Sequence, residues 1–338
     1  MSSLNIIRIP ASKMKFHFAE KLFNFDFSNE DAEKCADIFT QNSLDGVYSH
    51  GVNRFPRFID YLKKGYVLPK NKPKLKNQLG LIEQWDGALG PGPLNAFFAT
   101  NRALNLAKEF GIGCVALSNT NHWMRGGYYG WQAAKEGQIF IGWTNTTAIM
   151  PAWGAKDSKL GNNPLVIGIP YRNEAVVLDM SMSQFSYGAM ELTELKNEKL
   201  LVAGGYDKDG KLTNDPGLIL KSLRTIPVGF WKGSGLSFVL DIMAVILSNG
   251  LAVHQVAQKE EEISCSQIFI TINPENLAGY SHKDNVIDEI VKDLKCSISI
   301  DEHSQIRYPG ERAVKNRKEN TEKGIPVLES VWNEILNL

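Results

Sequence analysis

The chain has 338 residues, with 37 Lys and Arg against 37 Asp and Glu, so its formal charge at neutral pH is zero. Charges of both signs alternate along its length, which argues against nucleic acid and anionic membranes, whose binding needs clustered cations facing many phosphates. Hydrophobic residues at 43% and charged residues at 22% are ordinary globular values and point to one large domain or two intimate ones.

Residues 1–8 contain no apolar stretch leading to a small-residue cleavage site. The longest apolar run, within 236–247, is interrupted by Ser237 and Asp241 and falls short of the ~20 residues of a membrane span. A soluble, cytoplasmic protein with no membrane partner is the expectation. Cys35, Cys114, Cys265 and Cys296 are far apart among apolar neighbours and read as free thiols packed as small hydrophobes. The six histidines (17, 50, 122, 254, 282 and 303) lack HxxxH or HExxH spacing, so no metal site is expected.

In chain order, a first helix is predicted over 29–40, capped by Asn29, with Ala32, Cys35, Ala36 and Phe39 on one face. A second begins after Gly51, carries Val52, Phe55, Ile59 and Leu62, tolerates Pro56 in its early turns and stops at Gly65. Residues 69–78 read as a surface connection. A helix over 94–110, with Phe97, Leu104, Ala107 and Phe110 on its buried side, leads to a buried strand over 114–117. A helix over 128–136 and a strand over 139–145 repeat the pattern. Strands over 165–169 and 175–178 lie a hairpin apart, which predicts antiparallel pairing. Helices over 185–197 and 235–247, a strand over 267–272, and helices over 283–295, 311–323 and 328–338 complete the chain. No GxGxxG follows a strand and no Walker lysine motif occurs, so any bound dinucleotide lies outside an ordinary Rossmann site.

Four segments carry chemistry. In Ser49-His50-Gly51-Val52-Asn53-Arg54, an imidazole suited to proton transfer stands one turn before a guanidinium that can clamp a carboxylate. Adjacent side chains diverge and no GxSxG elbow exists, so Ser49 and His50 do not read as a nucleophile pair. The glycine-rich loop Asn121-His122-Trp123-Met124-Arg125-Gly126-Gly127 follows a buried strand, where ligand sites of α/β sheets gather, and offers His122 and Arg125 for substrate contact. Asp179 ends a β-branched run, where it can orient an imidazole or accept from a ribose hydroxyl. In Lys232-Gly233-Ser234-Gly235, a turn, a helix N-terminus and an ammonium can together hold a phosphate.

These segments, with Trp153-Gly154-Ala155, Gly161-Asn162-Asn163-Pro164 and Asp179-Met180-Ser181-Met182, are collinear over nearly the whole chain with the type-2 malate/L-lactate dehydrogenase family, which the sequence resembles. The resemblance implies an α/β fold that is mixed and non-Rossmann, with a largely antiparallel central sheet and flanking helices. It implies a homodimer with active sites between subunits, NADH or NADPH as cofactor, and a small-molecule 2-keto acid substrate. Residues 1–75 and 276–338 would form a helical substrate and dimerisation part, and 76–275 a sheet-containing NAD(P)-binding part. His50 would be the catalytic acid/base, and Arg54, His122 and Arg125 would bind substrate. Val176, Val177, Leu178, Asp179, Met180, Ser181 and Met182, Lys232 and Gly233, and Gly310, Glu311 and Arg312 would hold the cofactor. The family reading leaves malate, L-lactate and ureidoglycolate open as substrates, as well as a noncatalytic nucleotide- or metabolite-binding role. Trp123-Met124 departs from the family's usual small residue or phenylalanine and argues against plain malate or lactate.

Overall fold

The computed structural model describes residues 5–302 and 304–338, so residues 1–4 of the leader reading and His303 lie outside it. Seven strands form the central sheet in the order Lys74–Leu79, Ile82–Asp86, Ile112–Thr120, Cys265–Ile272, Ile139–Thr144, Leu165–Tyr171, Glu174–Met180. Ile82–Asp86 and Ile112–Thr120 run parallel, joined by helix Gly92–Phe110 as a crossover. Every other neighbouring pair is antiparallel, in agreement with the expected mixed sheet. Leu165–Tyr171 and Glu174–Met180 form the predicted hairpin, and Arg172 at φ 53 closes its tight turn.

Alternation along the strands sorts side chains to two faces. Val115, Leu117 and Phe269 join Trp123, Tyr129 and Phe140 in a core beneath helices Gly92–Phe110 and Gly127–Lys135. Cys114, Ala116 and Ile268 point the other way, to Trp143, Met150 and Leu240. The latter core lies under helix Trp231–Ser248, anchored where Trp143 Nε1 donates to the Leu240 carbonyl at 3.0 Å. A separate core joins the first third of the chain to its end. Phe18 stacks on Phe55 at 4.1 Å and Phe39 meets Phe55 edge-on at 5.2 Å, with Trp332 and Ile335 of the last helix in the same cluster. Strand Ile6–Ile9 pairs antiparallel with Ile325–Leu328, tying the two ends together.

Several local expectations change. Ser28, not Asn29, caps helix Asn29–Leu44, its Oγ accepting from the Asp31 N–H at 3.2 Å. Residues 74–79 are an exposed strand rather than a connection, and Phe110 is exposed while Ala96, Ala99 and Ala103 face the sheet. Cys35, Cys114 and Cys265 are buried as read, whereas Cys296 is exposed. Helix Lys283–Lys295 packs on the sheet, where Asp288 accepts from Tyr171 Oη and Arg172 Nη2, both at 2.6 Å.

Helix Trp231–Ser248 starts four residues earlier than predicted, which places Gly233-Ser234-Gly235 in its first turns and not in a preceding turn. Among the described residues it is the one helix long and apolar enough to cross a bilayer. The residues that break its apolar run are bonded inward. Ser237 Oγ donates to the Gly161 carbonyl at 2.7 Å, and Asp241 accepts from Asn145 Nδ2 at 2.9 Å. Its outward side carries Phe238, Ile242 and Ile246, all exposed.

Candidate active site

In place of one helix from Gly51, the chain makes two 3₁₀ turns, Tyr48–His50 and Val52–Arg54, before helix Phe55–Lys63. The break is fixed by a close approach. A Cβ on Gly51 would lie 2.2 Å from Ser43 Oγ and 2.9 Å from the Ser43 nitrogen. Ser43 Oγ accepts from the Val52 N–H at 2.9 Å, and Asn42 Nδ2 donates to the His50 carbonyl at 3.0 Å. The loop is therefore bonded to helix Asn29–Leu44; Arg54 leaves it to line a cleft, and the His50 ring stands against His122 of the same cleft.

His50 lies beside His122 of the glycine-rich loop, with ring centroids 5.6 Å apart and 28° between planes. Ser49 Oγ hydrogen-bonds His50 Nδ1 at 3.0 Å, so the two neighbours do not diverge as the sequence led us to expect. The contact orients the ring and leaves Nε2 as its other polar atom. The Met124 N–H donates to His122 Nδ1 at 2.9 Å, which puts the His122 proton on Nε2, 3.9 Å from Glu262. Arg54, Arg57, Tyr61, Asn121, His122 and Met124 line a small, partly open cleft. The half-buried Arg54 side chain has no hydrogen bond or ion pair among the described residues.

The electrostatics follow from that arrangement. Burial, then the cations Arg54 and Arg125, push the His50 pKa down to about 4. Burial, then Arg54 and His50, push His122 well below the ordinary imidazole value. Both rings are therefore neutral at pH 7 until something offsets the Arg54 charge.

Arg125 is held by acidic partners. It is 7% exposed and ion-paired with Asp45, and its Nε lies 3.8 Å from Asp179. Asp45 also accepts from Arg317 Nε at 2.7 Å, and Arg317 reaches Glu174 at 3.0 Å. This network locks strand Glu174–Met180 and helix Glu311–Lys323 to the end of the helix that precedes His50. Asp179 accepts from the Gly127 N–H at 2.8 Å, at the start of helix Gly127–Lys135. Burial raises the Asp179 pKa against the opposing pull of Arg125 and that N–H. Asp45→Asn would leave two guanidinium groups without their shared carboxylate and is expected to cost about 3 kcal/mol. A denaturant midpoint unchanged from the parent chain would overturn that expectation.

The segments assigned to a cofactor meet in space. The Val177 N–H donates to the Pro309 carbonyl at 3.1 Å, setting Gly310, at φ 94, against the strand. At the strand's far end the Met182 carbonyl accepts from the Val228 N–H at 2.8 Å, just before Lys232 and Gly233. A Cβ on Gly233 would lie 2.4 Å from the Val228 carbonyl oxygen. Lys232 has no carboxylate partner among the described residues, whereas Glu311 is held by Lys295 at 2.6 Å. Trp123 is core, packed on Tyr129 and Phe269, so of the Trp123-Met124 departure only Met124 faces the cleft.

Residues 9–336 match the family described as malate/L-lactate dehydrogenase. The chain belongs to that family. It is accordingly an oxidoreductase, as the resemblance implied. The 2,3-diketo-L-gulonate reductase of Klebsiella pneumoniae (strain 342) is 46% identical over 330 residues, covering 97% of this chain and 99% of its own. That of Pasteurella multocida (strain Pm70) is 45% identical over 333 residues, covering 98% and 100%. Among solved structures, malate dehydrogenase from Entamoeba histolytica superposes with a TM-score of 0.93 at 25% identity, over 98% of this chain and 97% of that one. Sulfolactate dehydrogenase from Methanocaldococcus jannaschii gives 0.88 at 30% identity, over 97% and 95%.

Glu261, Glu262, Arg57, Tyr61 and Asp45 were not assigned from the sequence. The signal for the glutamates is the run Glu260-Glu261-Glu262 just ahead of the central strand.

Proposed function

We propose that this chain reduces 2,3-diketo-L-gulonate to 3-keto-L-gulonate, reversibly, with NADH or NADPH, and with His50 as proton donor. The observation that carries the reading is a half-buried imidazole, stacked on His122 of the cleft, close to a guanidinium that lines the cleft and has no side-chain hydrogen bond or ion pair among the described residues. The curated reductases at 45–46% identity over nearly full length supply the substrate.

Arg54 binds the substrate C1 carboxylate, which fixes the carbonyl face. That anion offsets one of the two cations that depress the His50 pKa, so the imidazole takes up a proton as the substrate seats. A nicotinamide, when bound, supplies hydride to the carbonyl carbon. His50 then gives its proton to the oxygen that gains the electron pair, leaving an alcohol and a neutral ring. In the reverse direction the neutral ring accepts the proton. His122 supplies an N–H from Nε2 to a substrate oxygen, and Arg125 holds the glycine-rich loop through Asp45. Residues 176–182, Lys232 with Gly233, and 310–312 form the cofactor cradle, with the Lys232 ammonium toward a phosphate.

The exposed apolar side of helix Trp231–Ser248 supports a homodimer whose partner covers it. NAD(P)H absorbance with a panel of 2-keto acids, on protein weighed by light scattering, tests the reading. Fastest turnover of 2,3-diketo-L-gulonate by a dimer is expected. Preference for oxaloacetate or pyruvate would replace the substrate, uniform inactivity of folded protein would remove the activity, and a monomeric mass would remove the dimer.

A further inference from the structure

The cleft has a second arginine whose charge is already engaged. Arg54, at the N-cap of helix Phe55–Lys63, and Arg57 and Tyr61, one turn apart on that helix, all line the cleft. Arg57 Nη2 donates to Tyr61 Oη at 2.8 Å and to Glu261 Oε2 at 3.0 Å. The Tyr61 hydroxyl donates to the same carboxylate oxygen. The neighbouring carboxylates are in use as well: Glu260 accepts from Tyr66 Oη at 2.5 Å, and Glu262 from the Thr147 N–H at 3.1 Å. Arg54 has no side-chain hydrogen bond or ion pair among the described residues, whereas Arg57 is held by Glu261 at an acidic rim.

We infer that Glu261 is a specificity-determining residue: by holding Arg57 it fits the site to a 2-keto acid with one negative charge and a neutral hydroxylated tail, and against dicarboxylates. This rests on the reductase reading above. A second substrate carboxylate at Arg57 would have to displace Glu261 and would face its charge, an unfavourable element directed at the wrong substrate. Hydroxyls of a sugar acid meet no such opposition, since Glu261 and the Tyr61 oxygen accept hydrogen bonds. The solved relatives titled malate and sulfolactate dehydrogenase act, by those titles, on compounds with two acidic groups, so the fold itself accommodates a second charge.

Glu261→Gln, with and without Arg57→Met, tests the inference in the full chain. The ratio of kcat/KM for oxaloacetate to that for pyruvate is expected to rise about tenfold in Glu261→Gln, through KM, as befits a half-exposed pair. It should return to the parent value in the double variant. The same comparison is made by calorimetry, with L-malate and L-lactate binding to the NAD-loaded protein, so a chain without turnover still answers. No gain for the dicarboxylate in either measurement, or a gain that survives Arg57→Met, overturns the inference. Failure of the parent chain to reduce 2,3-diketo-L-gulonate strikes only the substrate reading, because neither measured ratio uses that compound.

Discussion

His50→Ala lowers turnover in the reductive direction by about 10²–10⁴-fold, the usual contribution of a placed proton donor, and leaves cofactor affinity in place. The pH dependence is as diagnostic as the rate. Because the free imidazole sits near pKa 4, the fraction able to donate falls as pH rises, so kcat/KM for ketone reduction declines with pH above that value. His50→Ala removes the slope. Alcohol oxidation needs the neutral ring and keeps its rate at neutral pH. Stability carries the complementary sign. A folded pKa of about 4 against the ordinary imidazole value of 6.5 means that the unfolded chain binds more protons in that window, so stability rises with pH across it and is lost on acidification. Unchanged turnover, or an unchanged pH profile, would remove His50 from its role.

Arg54→Met is expected to lower kcat/KM by about 10²-fold, mainly through KM, as loss of a charge-assisted bidentate clamp costs about 3 kcal/mol. The same change should raise the His50 pKa, since Arg54 is the larger of the two cationic causes of its depression. The expected signature is weak substrate binding together with a pH profile displaced to higher pH. Arg54→Lys keeps the charge and loses the fork, so it should weaken binding without moving the profile as far. Steady-state kinetics from pH 5 to 9 separate these outcomes, and an unaltered KM for both variants would assign the carboxylate elsewhere.

Much of the fold was legible because periodicity reports local structure. Helices Lys283–Lys295 and Glu311–Lys323 start and stop where their apolar spacing and flanking residues place them, and the hairpin over 165–180 follows from its short turn. Strand Lys74–Leu79 left no such trace, because KLKNQL is exposed along its whole length and has no buried face to pattern. Helix Ala11–Phe23 was missed as well; it starts after Pro10 with no side-chain cap. At the site, His50, Arg54 and His122 announce themselves as chemistry-bearing residues in short motifs, and the structure brings them together. The Asp45 network was not legible, since its arginines lie 80 and 272 residues further along the chain. Glu261 was missed for the same reason, its partners Arg57 and Tyr61 being 204 and 200 residues earlier.

The strand at the middle of the sheet, Cys265–Ile272, is made late in synthesis. Its two neighbours, Ile112–Thr120 and Ile139–Thr144, have no bond to each other and wait more than a hundred residues for the strand that joins them. Pairing across such a separation is slow and leaves edges open meanwhile. A nascent chain halted before residue 260 holds His50, Arg54 and His122 but neither the central strand nor the glutamates that precede it. The sheet and the acidic rim of the cleft are thus completed in one step, and a shortened chain would lack substrate discrimination for the same reason that it lacks a closed core.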